Sequence, residues 1–149
     1  MPNNPAERQP TFYAASYLIL QRGDEILMLH RKNTGWMDSY WGLPAGHIEG
    51  AEGVAAAVLR EAKEEAGIEL TEEDLTLKHV MHRSTDRVYF DFFFTAAGEG
   101  VAVKNTEPDK HDELKWFKVS ELPGNTIPYL KRVISRIQKG ELFSEDVTM

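Results

Sequence analysis

The run GVAAAVLREAKEEA, from Gly53 to Ala66, is the clearest helix in the chain. Alanine favours a helix because it loses no side-chain freedom there. Gly67 stands where a left-handed C-terminal cap belongs. Within this helix Glu61, Glu64 and Glu65 fall at i, i+3 and i+4, so all three carboxylates share one side. Like charges at that spacing repel, and these also sit near the negative end of the helix dipole, where carboxylates are disfavoured. Lys63 points away from this face. Arg60 reaches Glu64 at i+4, but one arginine cannot neutralise three carboxylates. Val58, Leu59, Ala62 and Ala66 make an apolar stripe beside the acidic face, which would anchor the helix on a sheet and fix the direction of the glutamates. Clustered carboxylate oxygens suit a hard cation, magnesium or manganese. The commoner reading of glutamates on a helix is a solvated face, so the helix alone does not decide between the two.

The flanking segments supply the sheet. Phe12 to Leu20 is apolar and aromatic and reads as a buried strand; Gln21-Arg22-Gly23-Asp24 is a turn, and Glu25 to His30 a second strand, together a hairpin. Lys32 to Tyr40 is a polar loop containing Trp36. Trp41 to Ala45 is a short strand broken by Gly46. Leu75 to His82 and Val88 to Ala96 are strands joined by a polar turn. Gly98 to Asp112 is a polar loop with room for a short strand at Val101 to Val103. Leu114 to Val119 is a further strand, and Ile127 to Gln138 a second helix. This order predicts an α+β domain with a mixed sheet. Residues 1–10 read as a flexible tail, 11–140 as one domain and 141–149 as a C-terminal tail.

Composition narrows the function. The 149 residues contain no cysteine, which excludes disulfides, thiolate catalysis and Cys-type zinc sites. A net charge of -7 argues against a broad nucleic-acid surface, so no nucleic acid polymer is expected as partner. It leaves room for a small phosphorylated ligand held through a metal. No apolar run is long enough to span a bilayer, so no membrane partner is expected, and the polar start lacks a signal-peptide core. A cytoplasmic location is expected.

From Gly46 to Ile68 the sequence reads GHIEGAEGVAAAVLREAKEEAGI. It resembles the Nudix box, G-x5-E-x7-R-E-U-x-E-E-x-G-U, where U is a bulky or aliphatic residue. Gly46, Glu52, Arg60, Glu61, Glu64, Glu65, Gly67 and Ile68 all match, and Ala62 is smaller than usual at the first U. WGLPAGH (41–47) and EPDKHDELKWFKVSELP (107–123) are also similar to the Nudix hydrolase family.

The resemblance implies an α/β/α sandwich around a mixed central sheet, with a loop-helix-loop that binds divalent metal, Mg2+ with Mn2+ as substitute. It implies Glu61, Glu64 and Glu65 as metal ligands and the Ala45 carbonyl as another. Arg60 would orient the glutamates, Glu52 would be structural, and Gly46 and Gly67 would serve backbone turns. Glu113 is the candidate for a further acidic ligand, with Asp112 and Glu107 as rivals. Arg31 stands where similar enzymes hold phosphate, and His47 is a candidate substrate contact. Trp36 and Tyr40 are candidates for stacking on a base; Trp41 and Trp116 read as core.

The activity implied is hydrolysis of a phosphoanhydride in a nucleoside diphosphate-linked small molecule, with Glu61 or Glu65 as general base. Between Ile68 and Tyr89 there is no proline and no tyrosine, so the markers of the ADP-ribose and dinucleoside polyphosphate subgroups are missing. Glu107-Pro108 with Trp116 resembles the MutT-like nucleoside triphosphate pyrophosphatases. The expected reaction is a (deoxy)nucleoside triphosphate giving monophosphate and pyrophosphate. ADP-ribose, ADP-sugar or dinucleoside polyphosphate hydrolysis, or a non-catalytic nucleotide sensor, are the alternatives. Many family members are homodimers, and this sequence is compatible with one.

Overall fold

The structure is a computed structural model that describes residues 11–147. The tail expected at residues 1–10 lies outside the described residues.

The elements in chain order are β1 (Phe12–Arg22), β2 (Glu25–Arg31), β3 (Trp41–Gly42), β4 (Ala45–His47), α1 (Val54–Ala66), β5 (Thr76–Ser84), β6 (Val88–Ala97), β7 (His111–Lys118), α2 (Pro128–Gln138) and β8 (Phe143–Val147). Along the sheet the order is β3-β2-β1-β6-β5-β8, with β4 also paired to β1 and β7 to β2. The sheet is mixed, because β1–β6 and β5–β8 run parallel and the other pairs antiparallel.

The apolar run of β1 has a structural cause: both faces of this strand are covered. Ala15, Tyr17 and Ile19 join Leu130, Val133 and Ile134 of α2 in one core. Leu18 and Leu20 join Val58, Ala62 and Ala66 of α1 in the other. Side chains alternate across a strand, so a strand between two helical layers is apolar on both faces, and the one buried polar side chain in the run, Ser16, donates to the Val54 carbonyl. The result is the expected α/β/α sandwich. Burial of this apolar surface is the main stabilising force.

Three sequence expectations change. The short strand at Trp41 to Ala45 is two strands, β3 on β2 and β4 on β1. The chain changes partner at Leu43-Pro44, where proline has no N–H to continue a ladder. No strand forms at Val101 to Val103. There the backbone carbonyls of Gly98 and Val101 accept from the Arg22 guanidinium, and the Lys104 N–H donates to the Ala66 carbonyl. These contacts tie the segment to Arg22 and to the end of α1 rather than to a partner strand. Finally, the segment read as a C-terminal tail contains β8. Only Ser144 of that strand is buried, hydrogen-bonded to His79 of β5. A strand held by backbone pairing and a few polar contacts leaves no alternating apolar signal to read.

Candidate active site

Helix α1 presents its glutamates to β4. Gly67 closes the helix in the left-handed conformation, with φ of 61°. That is a turn role. Gly46 has a different one: a Cβ placed there would fall inside the Glu61 carboxyl group. Glycine is required because a side chain approaches its backbone, not because the chain turns.

Arg60 organises the cluster. Its Nη2 donates to Glu52 Oε1 (2.8 Å) and to the His47 carbonyl (3.1 Å). Its Nη1 donates to Glu61 Oε1 (2.7 Å) and Glu64 Oε2 (3.3 Å). The Glu52 hydrogen bond above all, then Glu61, hold the guanidinium more firmly charged than usual. Glu52 in turn accepts from the Glu49 N–H, and its carboxyl lies below the ordinary range because of Arg60 and that N–H. The loop before the helix and the helix itself are thus tied through one side chain.

Glu65 lies deepest. Its Oε2 accepts from the Ala45 N–H (3.1 Å). Burial, then the charges of Glu61 and Glu107, push its pKa well above the usual carboxylate value, against the lowering effect of the Ala45 N–H. Burying an acid beside two like charges is costly unless a cation arrives.

The polar loop 98–112 docks on the end of α1. Thr106 donates through its hydroxyl to the Glu64 carbonyl (2.6 Å). His111 Nε2 lies 2.8 Å from the Glu65 carbonyl oxygen, as a donor to it. These contacts use carbonyls that every helix end leaves unpaired. They also bring Glu107 into one cavity with Glu65, Ala45, Arg31, Lys110 and His111, a space of about 380 Å³.

The structure separates the three candidates for the further acidic ligand. Glu113 pairs with His30 across β2 and β7, on the face opposite its neighbour Leu114, which packs on the α1 core. Glu113 is therefore turned from the glutamate helix. Asp112 is engaged by His30 Nδ1 at 2.7 Å. Glu107 alone of the three lines the cavity with Glu65. A β-bulge between His30 and Arg31 shifts the register just where β7 begins, so alternation in the sequence did not reveal this.

A second cavity, of about 490 Å³, adjoins the first, and Arg31, Gly42, Leu43 and Ala45 line both. Gly46, His47 and Trp36 line it, as do Arg83, Arg87, Tyr89 and Tyr129, which sequence reasoning missed. Arg31 donates through Nε to the Trp36 carbonyl (3.0 Å) and through Nη2 to Thr34 Oγ1 (3.0 Å). The His47 ring lies against Tyr13 and Tyr89. Trp36 is largely exposed at the rim, whereas Trp41 is core; Trp116 packs on the α1 core beneath Arg22. Tyr40 is exposed and outside both cavities.

Among the described residues no three acidic or histidine side chains converge closely enough to grip an ion, and Arg60 engages one oxygen each of Glu61 and Glu64. The donor set is nonetheless all oxygen, with one buried carboxylate short of countercharge, and it fits a hard divalent cation.

A helix that carries clustered carboxylates to the wall of a cleft, tied by one arginine, is the layout of a hydrolase that acts on phosphoanhydrides, and the family comparison identifies it as such. The profile of the NUDIX domain matches residues 10–137, and the chain belongs to the Nudix family. It is 28% identical over 137 residues to an RNA pyrophosphohydrolase of Acidiphilium cryptum, covering 81% of this chain and 84% of that one. To the human 8-oxo-dGDP phosphatase NUDT18 it is 32% identical over 117 residues, 78% of this chain but only 35% of that protein. Among solved structures, a MutT NUDIX hydrolase from Burkholderia pseudomallei superposes with a TM-score of 0.73 at 27% identity, covering 83% of this chain and 95% of that one.

Proposed function

We propose that this Nudix hydrolase converts a (deoxy)nucleoside triphosphate to the monophosphate and pyrophosphate, with magnesium as the metal and manganese able to replace it. The observation that carries the reading is the adjacency of two cavities that share Arg31, Gly42, Leu43 and Ala45 in their lining. One end holds the carboxylates Glu65 and Glu107; the other is lined by aromatic rings and arginines. A polyphosphate suits the first and a nucleoside the second. Their volumes lie in the range of small-molecule sites.

Glu61, Glu64, Glu65, Glu107 and the Ala45 carbonyl would hold the metal. Glu107 replaces Glu113 in this assignment, on the geometry above. The bound ion would neutralise phosphate charge and make a water more acidic. Arg60 engages one oxygen each of Glu61 and Glu64, so the second oxygen of each carboxylate is the one that would meet the ion, while Arg60 stays tied to Glu52 and the His47 carbonyl. Arg31 orients the phosphate chain from the shared wall of the two cavities. One of Glu61 and Glu65 accepts the proton of the water that attacks phosphorus. His47 borders the nucleoside end. The relatives named above support hydrolysis at a nucleoside phosphate chain, and the net charge of -7 favours a free nucleotide over an RNA end. No described helix is long and apolar enough to cross a membrane, and the absence of cysteine supports a cytoplasmic setting.

The test is turnover of a panel of nucleoside triphosphates, ADP-ribose and dinucleoside polyphosphates with magnesium, products separated by chromatography, beside a Glu64→Gln/Glu65→Gln variant. Monophosphate and pyrophosphate from triphosphates, lost in the variant, is the expected result. Turnover of ADP-ribose alone, or nucleotide binding without turnover, overturns it.

A further inference from the structure

Arg83 projects from β5 into the nucleoside end of the cleft and is held from three sides. Its Nε donates to Asp91 Oδ2 at 2.8 Å, and Nη2 lies 3.5 Å from Oδ1. Its guanidinium carbon sits 4.3 Å from the Tyr89 ring centroid and 4.2 Å from that of Tyr129. Asp91 has no solvent exposure and is not part of the cavity wall, whereas Arg83 is. Tyr17 donates its hydroxyl to Asp91 Oδ1 (3.1 Å), which fixes the carboxylate in turn.

This arrangement uses the side edge of the guanidinium. Among the described residues Nη1 has no hydrogen-bond partner, and it is not sealed from solvent. The end edge, formed by Nη1 and the second hydrogen of Nη2, is left for a ligand. Two aromatic rings and a buried carboxylate lock its plane, so it is a pre-positioned pair of parallel donors. Asp91 already balances the charge. A site for a phosphate would keep its positive charge free; a neutral pair with two aligned N–H groups instead suits a neutral partner bearing two adjacent acceptors.

Guanine offers such a pair in O6 and N7. Adenine places an amino donor where guanine has O6, and thymine has O4 without a second acceptor beside it; cytosine, whose adjacent acceptors N3 and O2 belong to a single-ring base, is the rival that dCTP tests. We propose that Arg83 is a specificity-determining residue that reads the O6/N7 edge of a 6-oxopurine, so that guanine and hypoxanthine nucleotides are the preferred substrates. This rests on the nucleotide reading above and names the base that the cavity takes.

The experiment compares kcat/KM for dGTP, dITP, 7-deaza-dGTP, 8-oxo-dGTP, dATP, dTTP and dCTP, a preference for dCTP overturning the assignment, and equilibrium binding of the corresponding monophosphates by calorimetry. One bidentate contact is worth roughly 1–3 kcal/mol of discrimination, so dGTP and dITP should exceed dATP and dTTP by about tenfold or more. Both 7-deaza-dGTP, which lacks the N7 acceptor, and 8-oxo-dGTP, whose N7 carries hydrogen, should fall below dGTP. Arg83→Lys keeps a cation beside Asp91 but cannot present the planar fork. In it, and in an Arg83→Gln/Asp91→Asn variant that leaves no buried charge unpaired, the ratio of dGTP to 7-deaza-dGTP should collapse towards one. A merely loosened cavity would lower all nucleotides alike and keep the ratio, which overturns the assignment. So does equal use of dGTP and dATP, or a preference for 8-oxo-dGTP over dGTP. If no triphosphate is hydrolysed but dGMP and dIMP still bind better than dAMP, the triphosphate reading fails and the base reading stands.

Discussion

Glu61 occupies the space that a side chain on Gly46 would need. The helix glutamate and the strand glycine therefore specify one another across the α1–β4 contact. Gly46→Ala must push the Glu61 carboxyl aside. Gly46 has no positive φ, so alanine adds no backbone strain and the fold should survive. Displacement of a catalytic group by about 1 Å can cost on the order of 100-fold in rate. The expected result is a loss of that order in kcat, with the melting temperature lowered only modestly. Unchanged kcat would show that Glu61 can move without consequence.

Glu107 and Glu113 can be separated by single substitutions. Glu107 shares a cavity with Glu65 and adds to its raised pKa, whereas Glu113 faces His30 on the other side of the sheet. Glu107→Gln should raise the magnesium concentration needed for half-maximal activity by roughly 10- to 100-fold, the scale seen when groups around a metal are removed. Glu113→Gln should stay within about twofold of the parent, as expected for an exposed strand residue. A magnesium titration of both variants checks this, and the reverse ranking would return the role to Glu113.

The two regions of the cleft were unequally legible in the sequence. Glu61, Glu64, Glu65 and Arg60 lie within one helix, where spacing converts directly into direction. The nucleoside end is assembled from β1, β5, β6 and α2, so Tyr17, Arg83, Asp91 and Tyr129 meet only after the sheet is ordered. Singly they look like ordinary strand and helix residues. An aspartate inside the apolar run VYFDFFF was the available signal, since an acid at such a position needs a buried partner. Similarly, β1 and β2 were readable because they are apolar on both faces, while β8 has a single buried residue and left no pattern. The place of Glu107 depended on loop docking through Thr106 and His111, which carries no periodicity.

Metal removal should reveal the cost of burying Glu65. Its folded pKa is raised by burial and then by Glu61 and Glu107. A raised folded pKa gives a contribution to stability that is full below the unfolded value, near 4.3 for glutamate, and is lost as pH rises through the folded value. In chelator, this group therefore makes the protein less stable as pH rises from the unfolded value through the raised folded one. Magnesium binds the ionised form, so the increase in melting temperature on adding it should grow over the same range. Glu65→Gln should flatten both trends. Thermal melts with chelator or magnesium at several pH values measure this; a magnesium effect that shrinks with rising pH would contradict it.

Arg83 and Asp91 also make a prediction about stability that is independent of catalysis. Burial raises the Asp91 pKa even though Arg83 and Tyr17 pull it down, so desolvation outweighs the ion pair. Burial likewise works against the Arg83 charge, yet the Asp91 hydrogen bond, with Tyr129 and Tyr17, leaves its pKa above the usual value. Such a pair stabilises little over an apolar replacement, but losing one member is expensive because the other is left uncompensated. Arg83→Met would strand a carboxylate with no solvent access and should destabilise by about 3–5 kcal/mol. Asp91→Leu should cost less, because Arg83 keeps a route to solvent and its two aromatic contacts. The double variant should be more stable than Arg83→Met alone, giving a favourable coupling in a double-mutant cycle. Urea unfolding of the four proteins measures the cycle, and additive costs would mean that the two side chains act independently.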